Sequence, residues 1–186
     1  MKDAASVERG GYLRLFCALR LPSATTAALA AWQDHAFAAA DVRAVAEAHL
    51  HVTLAFLGRR PSTDLEPVVE ALREAAAGVR SPVLTARRYR ETRSVGMLVC
   101  DDEGGRAATV AERLHERLEQ LGVYERERRE WLPHVTVVRF RQRPRLQPAV
   151  PDLEPFVTSE AAVYMSVLRP SGAQYEVLQS VALEGS

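Results

Sequence analysis

Two histidines in this sequence are followed by the same dipeptide. His51-Val52-Thr53-Leu54 and His134-Val135-Thr136-Val137 are near copies, 83 residues apart in a chain of 186. With 5 His, 21 Val and 9 Thr available, chance would produce such a pair about 3 times in 10,000, so it reads as a motif. Each copy opens a strand. Over residues 49–56, Leu50, Val52, Leu54 and Phe56 share one face while His51, Thr53 and Ala55 share the other, and Gly58 is expected to end the run. Residues 134–140 form the second strand, introduced by Pro133. Side chains two apart on a strand point the same way, so each copy sets an imidazole beside a hydroxyl.

The segments around the copies alternate between strand and helix. Residues 12–19 read as a strand, after which Pro22 and Ser23 open an alanine-rich helix to about residue 40. Ser62, Thr63 and Asp64 offer caps for a helix to about residue 77, closed by Gly78, with Pro67 tolerable in its first turn. Strands are expected over residues 83–89 and 95–100, and a helix over 106–121, where Val110, Leu114, Leu118 and Leu121 fall at helical spacing before Gly122. Residues 161–168 and 175–183 read as a hairpin around Pro170-Ser171-Gly172, and the Pro-rich stretch 144–155 as a loop. Strands and helices thus alternate in two rounds.

The chain balances 24 Lys and Arg against 24 Asp and Glu. Zero net charge argues against a protein that coats nucleic acid, which needs a large positive field to displace counterions. Lys2 is the one lysine, in an N-terminal stretch, residues 1–10, expected to be mobile. A Schiff-base or P-loop mechanism therefore has no well-placed lysine, and phosphate binding must use arginine, hydroxyls, histidine or backbone. Cys17 and Cys100 are too few for a disulfide framework or a zinc site and read as reduced core residues. No stretch approaches the roughly 20 apolar residues of a membrane span, and no signal peptide is evident, so a cytoplasmic location with no membrane partner is expected.

Histidine ionises near neutrality, so two imidazoles facing one cleft can give and take protons in one reaction, with two threonine hydroxyls as neutral donors. That set suits an anionic substrate oxygen held without a metal. Paired histidines are also metal ligands, but neither copy has a carboxylate or thiol at ligand spacing, and two imidazoles leave a zinc or iron site incomplete. A single histidine could merely end its strand and bond to backbone; the repeat argues for more.

The two tetrads, together with Leu13-Arg14-Leu15-Phe16-Cys17-Ala18-Leu19, the stretch from Leu50 to Gly58, and Ser166-Val167-Leu168-Arg169-Pro170-Ser171-Gly172-Ala173-Gln174-Tyr175, resemble the two-histidine (2H) phosphoesterases. Among these the chain is most similar to the bacterial and archaeal RNA 2′,3′-cyclic phosphodiesterases, also called the 2′-5′ RNA ligase family. The resemblance spans about residues 11–183. It implies one bilobal α+β catalytic domain, two antiparallel sheets with outer helices around a central cleft, with no cofactor and no metal. It implies hydrolysis of a terminal 2′,3′-cyclic phosphate on RNA to a 2′-phosphate; a monomer is expected. By position, His51 is the implied proton donor and His134 the acceptor, with Thr53 and Thr136 on the phosphate oxygens. Arg139 matches an arginine common after the second tetrad, yet five residues from His134 strict alternation turns it away, and it reaches the cleft only if the strand bulges or ends. Where relatives often carry Arg-Trp before the first tetrad, this chain has Arg43-Ala44. The same site could instead take 2′-5′ linked oligonucleotides or small cyclic nucleotides, or run the ligation. A non-catalytic RNA-end binding module is the alternative of another class.

Other residues read more plainly. His35 and His115 are expected at the surface, His49 at a solvated strand mouth, and Tyr175 and Trp131 as cleft-wall or core packing with base stacking as the alternative. Two arginine runs, Arg87, Arg88, Arg90 and Arg93, then Arg139, Arg141, Arg143 and Arg145, are solvated faces that could steer an RNA end.

Overall fold

The computed structural model describes residues 11–169 and 172–185. Residues 1–10 and Pro170-Ser171 of the expected hairpin turn lie outside them. In chain order the elements are β1 (Tyr12–Arg20), α1 (Ser23–Ala36), β2 (Arg43–Ala44), β3 (His51–Pro61), α2 (Leu65–Ala76), β4 (Val83–Glu91), β5 (Val95–Asp102), α3 (Arg106–Gln120), β6 (His134–Arg139), β7 (Phe156–Val157), β8 (Glu160–Arg169) and β9 (Gly172–Ala182). Among the described residues no helix is long and apolar enough to cross a membrane.

The α+β reading holds. The strands run antiparallel in the order β7-β4-β5-β6-β3-β1-β8-β9, with β2 also on β6. The two sheets anticipated are the halves of this one curled sheet, β7-β4-β5-β6 and β3-β1-β8-β9, and a single register pair, Val52 with Val135, joins them.

The core follows from alternation. On β1, Leu13, Leu15, Cys17 and Leu19 are buried against the helices, each contributing on the order of 1.5–3 kcal/mol where a large side chain is fully enclosed. Helices α2 and α3 pack on each other behind β3, β8 and β9, and Leu114 and Leu118 of α3 are fully buried. The opposite face of β1 carries a separate small cluster, Phe16, Ala18, Ala162 and Tyr164.

Several local expectations need correction. Gly58 does not end β3. It adopts φ +69°, and β1 pairs Leu15 with Gly58 and Phe16 with Phe56, so Leu57 bulges out while the strand runs on to Pro61. Among the described residues no side chain caps α2: residues Ser62–Asp64 form a 3-10 turn, and Asp64 pairs with Arg60 at 2.9 Å instead. Helix α3 is capped from outside, the Asp102 carboxylate accepting from the Ala107 and Ala108 amides at 3.0 and 2.8 Å. Gly122 closes α3 at φ +68°, as the sequence predicts.

Candidate active site

Val52 and Val135, no more than 1% exposed, put their side chains on the core face of the seam. Their chain neighbours therefore point the other way. Continued to either side, the antiparallel register sets His51 across from Thr136 and Thr53 across from His134. The two tetrads thus meet about an approximate twofold axis through the valine pair.

A bulge then falls at the last residue of each tetrad. Strand β1 pairs Ala18 with Thr53 and Cys17 with Ala55, leaving Leu54 as the extra residue. Strand β5 pairs Met97 with Thr136 and Gly96 with Val138, leaving Val137 extra. One extra residue reverses the parity of everything after it. Leu54 and Ala55 are both buried, as are Val137 and Val138, and the fifth residue after each histidine returns to the histidine's face. In the second copy that residue is Arg139, which reaches the cleft by the bulge it required. In the first copy it is Phe56, which alternation assigns to the core. Phe56 is instead 50% exposed, with the Arg14 guanidinium 4.8 Å from its ring centroid.

A cleft of about 540 Å³ opens over this face. Its walls include His51, Thr53, Thr136 and Arg139, together with Arg14, Phe16, Arg43, His49, Phe56, Ser166 and Tyr175. His134 does not contribute to these walls. It is half-buried on the strand face of Thr136, and its charge bears on His51. Arg14 and Phe16 were legible but unread: once Leu13, Leu15, Cys17 and Leu19 face the core, the residues between them must face the cleft.

Both imidazoles are oriented alike. Nδ1–H of His51 donates to the His49 carbonyl at 2.7 Å, and Nδ1–H of His134 donates to the Leu132 carbonyl at 2.8 Å. A carbonyl can only accept, so in the neutral rings Nε2 is left as the basic nitrogen. In His51 that atom meets the Thr53 hydroxyl at 3.1 Å. Around the His51 ring stand Phe16 at 5.0 Å, Tyr175 at 5.5 Å and Tyr164 at 5.9 Å between centroids. Burial among these rings pulls the His51 pKa down to about 4, helped by the positive charges of Arg139, His134 and His49 and opposed by the bond to the His49 carbonyl.

Among the remaining residues, His49 is half-buried in the cleft wall, 4.8 Å from Tyr175. Trp131 packs against the core and donates Nε1–H to the Thr53 carbonyl at 3.0 Å. His35 is exposed, as read, but His115 is not: it is buried at 4% exposure and bonded to the Leu54 carbonyl. Its place beside the apolar stripe of α3 was the signal that it faces inward. Cys17 and Cys100 are buried and free, burial pushing both thiols up to about 12. The arginine runs are partly neutralised, Arg87 by Asp101 and Arg143 by the buried Glu91. Among the described residues no three His, Cys, Asp or Glu side chains gather as metal ligands. Imidazole, hydroxyl and guanidinium groups dominate the polar side of the cleft, a donor set made for an anion.

A family model described as LigT like phosphoesterase matches residues 19–92. The chain is 31% identical over 186 aligned residues to the RNA 2′,3′-cyclic phosphodiesterase of Thermus thermophilus, covering 93% of this chain and 91% of that protein. Among solved structures, TT0787 of Thermus thermophilus superposes with a TM-score of 0.79 at 27% identity, covering 93% of this chain and 99% of that one. The apo form of E. coli LigT gives a TM-score of 0.79 at 23% identity, covering 94% and 99%.

Proposed function

The chain belongs to the LigT-like 2H phosphoesterases and is a hydrolase, and from that premise we propose that it hydrolyses a terminal 2′,3′-cyclic phosphate on RNA to a 2′-phosphate without a metal ion. One observation carries the reading: the two imidazole–hydroxyl pairs lie on one face about the Val52–Val135 seam, with Arg139 beside them. The substrate itself is argued by the name of the Thermus relative, which matches nearly the whole chain.

In this reading a water attacks phosphorus as Nε2 of His134 takes its proton. The bond from phosphorus to the 3′ oxygen breaks, and that oxygen takes the electron pair and a proton from Nε2 of His51. A 2′-phosphomonoester and a free 3′ hydroxyl result, and the two imidazoles exchange their proton difference with solvent. Each positioned transfer supplies about 10²–10⁴ in rate. Thr53, Thr136 and Arg139 hold the non-bridging oxygens, with Arg139 able to take two at once. Burial makes the His51 imidazolium a strong acid, ready to protonate a poor leaving group; the phosphate anion supplies the negative charge that loads it.

The test is an RNA oligomer ending in a 2′,3′-cyclic phosphate, incubated in EDTA with the wild type and with His51→Ala and His134→Ala. Conversion by the wild type to a 2′-phosphate, with both variants reduced at least about 100-fold, is the expected result. Loss of wild-type activity in EDTA, or undiminished turnover in both variants, overturns it.

A further inference from the structure

Each bulge has a buried polar side chain behind it. From α3, Nε2–H of His115 donates to the Leu54 carbonyl at 2.8 Å, the ring lying 4.9 Å from that of Tyr124. From α1, the amide of Gln33, 2% exposed, donates to the Val137 carbonyl at 2.5 Å and to the Val45 carbonyl at 3.1 Å. Leu54 and Val137 are the corresponding residues of the two copies, each the third after its histidine and each the extra residue of its bulge.

The arrangement is crosswise. Helix α1 follows β1, the partner of β3, yet grips β6; helix α3 follows β5, the partner of β6, yet grips β3. An extra residue stands outside the regular ladder; at Val137 the carbonyl is shared by the Gln33 amide and the Val45 backbone N–H, the latter at 2.9 Å. The tilt of the extra residue's peptide plane decides where the residues on either side point: Thr53 and Phe56 in one copy, Thr136 and Arg139 in the other. A need to satisfy a buried carbonyl explains one such bond. It does not explain why two chemically unrelated side chains grip the same carbonyl of both copies.

We propose that His115 and Gln33 are positioning residues for the reaction, each fixing the bulge that aims one half of the phosphate-binding set. The inference rests on the reading of this cleft as catalytic. Neither residue touches the substrate. A misplacement of about 1 Å at reacting groups can cost on the order of 100-fold in rate, so the expected effect falls on kcat and less on KM.

The test has two arms. In the first, steady-state hydrolysis of the cyclic-phosphate oligomer is compared for wild type, His115→Leu, Gln33→Leu and the exchange variants His115→Gln and Gln33→His. The leucine variants should lose about 10- to 100-fold in kcat with KM changed less, and the exchange variants, which restore a donor, should recover most of it. In the second arm, the imidazole signals of His51 and His134 are titrated by NMR in the substrate-free protein. His115→Leu should shift the titration of His51, and Gln33→Leu that of His134, each sparing the other. The second arm needs no substrate, so a wild type inactive on cyclic phosphate fails the functional reading while the brace is still judged. If His115→Leu does not fold, Gln33→Leu and the two exchange variants carry both arms. Unchanged kcat with unchanged imidazole titrations overturns the proposal, as does an activity loss that tracks the lost folded fraction alone.

Discussion

Phe56 and Arg139 occupy the same place in the two halves of the cleft. Each is the fifth residue after its histidine, and each is turned inward by a bulge two residues before it. The fold repeats the backbone, and the sequence makes the repeat asymmetric: one half offers an aromatic face under an arginine, the other a guanidinium. A nucleotide has the same asymmetry, with a flat base at one end and an anion at the other.

Arg139 should act on the phosphate. A hydrogen bond to a charged group contributes about 1.5–3 kcal/mol, so Arg139→Ala should lower kcat/KM on the cyclic-phosphate oligomer by roughly 10- to 100-fold. Arg139→Lys should recover a part, because a point charge replaces a planar fork that can take two oxygens. Steady-state kinetics decide this, and a lysine variant equal to wild type would mean that charge alone is used.

Phe56 should act on the rest of the substrate. Stacking of a base on an aromatic ring is worth about 1–3 kcal/mol, so Phe56→Ala should raise KM for the oligomer with kcat nearly kept. Half-exposed, the ring can be removed at little cost to stability. If KM stays put while thermal stability falls, the ring is packing and the base lies elsewhere.

The seam is a further point of leverage. Val52 and Val135 are enclosed and directly paired, so Val52→Ala and Val135→Ala should each cost about 1–3 kcal/mol. Being neighbours, they should not add: the double variant should deviate from the sum by about 0.5 kcal/mol or more. Denaturant unfolding of the four proteins measures the coupling, and strict additivity would place the two valines in independent packing.

How much of this was legible depended on the range of the interaction. The tetrads announced their own faces, because alternation is local, and Gly122 announced its helix end for the same reason. The bulges were not announced. Leu54 and Val137 are ordinary apolar residues in ordinary strand sequence, and their displacement is set by partners in β1 and β5 far along the chain. Phe56 was therefore assigned to the wrong face, whereas at Arg139 the match to an arginine of the family the chain resembles brought the possibility of a bulge into view. His115 was misread because polarity outweighed position; its bond to a carbonyl 61 residues away is what makes burial tolerable. The seam was not announced either: two sheets about a cleft were expected, and the pairing of Val52 with Val135 that merges them depends on strands far apart in the chain.

The His51 environment predicts a pH dependence whose sign can be worked out. Its pKa falls from 6.5 to about 4 on folding, so between those values the unfolded chain binds more protons than the native one. The stability gained by keeping this ring neutral is fully present above about pH 6.5 and is lost as the pH falls toward 4. Activity carries the opposite sense: the limbs of kcat/KM report ionisation in the free enzyme, and as proton donor His51 sets the alkaline limb, which should lie near pH 4 rather than near 6.5. Tyr175→Ser, which takes one of the three rings from around His51 and lets water reach it, should move that limb upward toward the ordinary value. NMR titration of His51 in both proteins checks the shift directly. A wild-type ring that titrates at or above 6.5 would show that water already reaches it, and the aromatic wall could then have no part in setting its acidity.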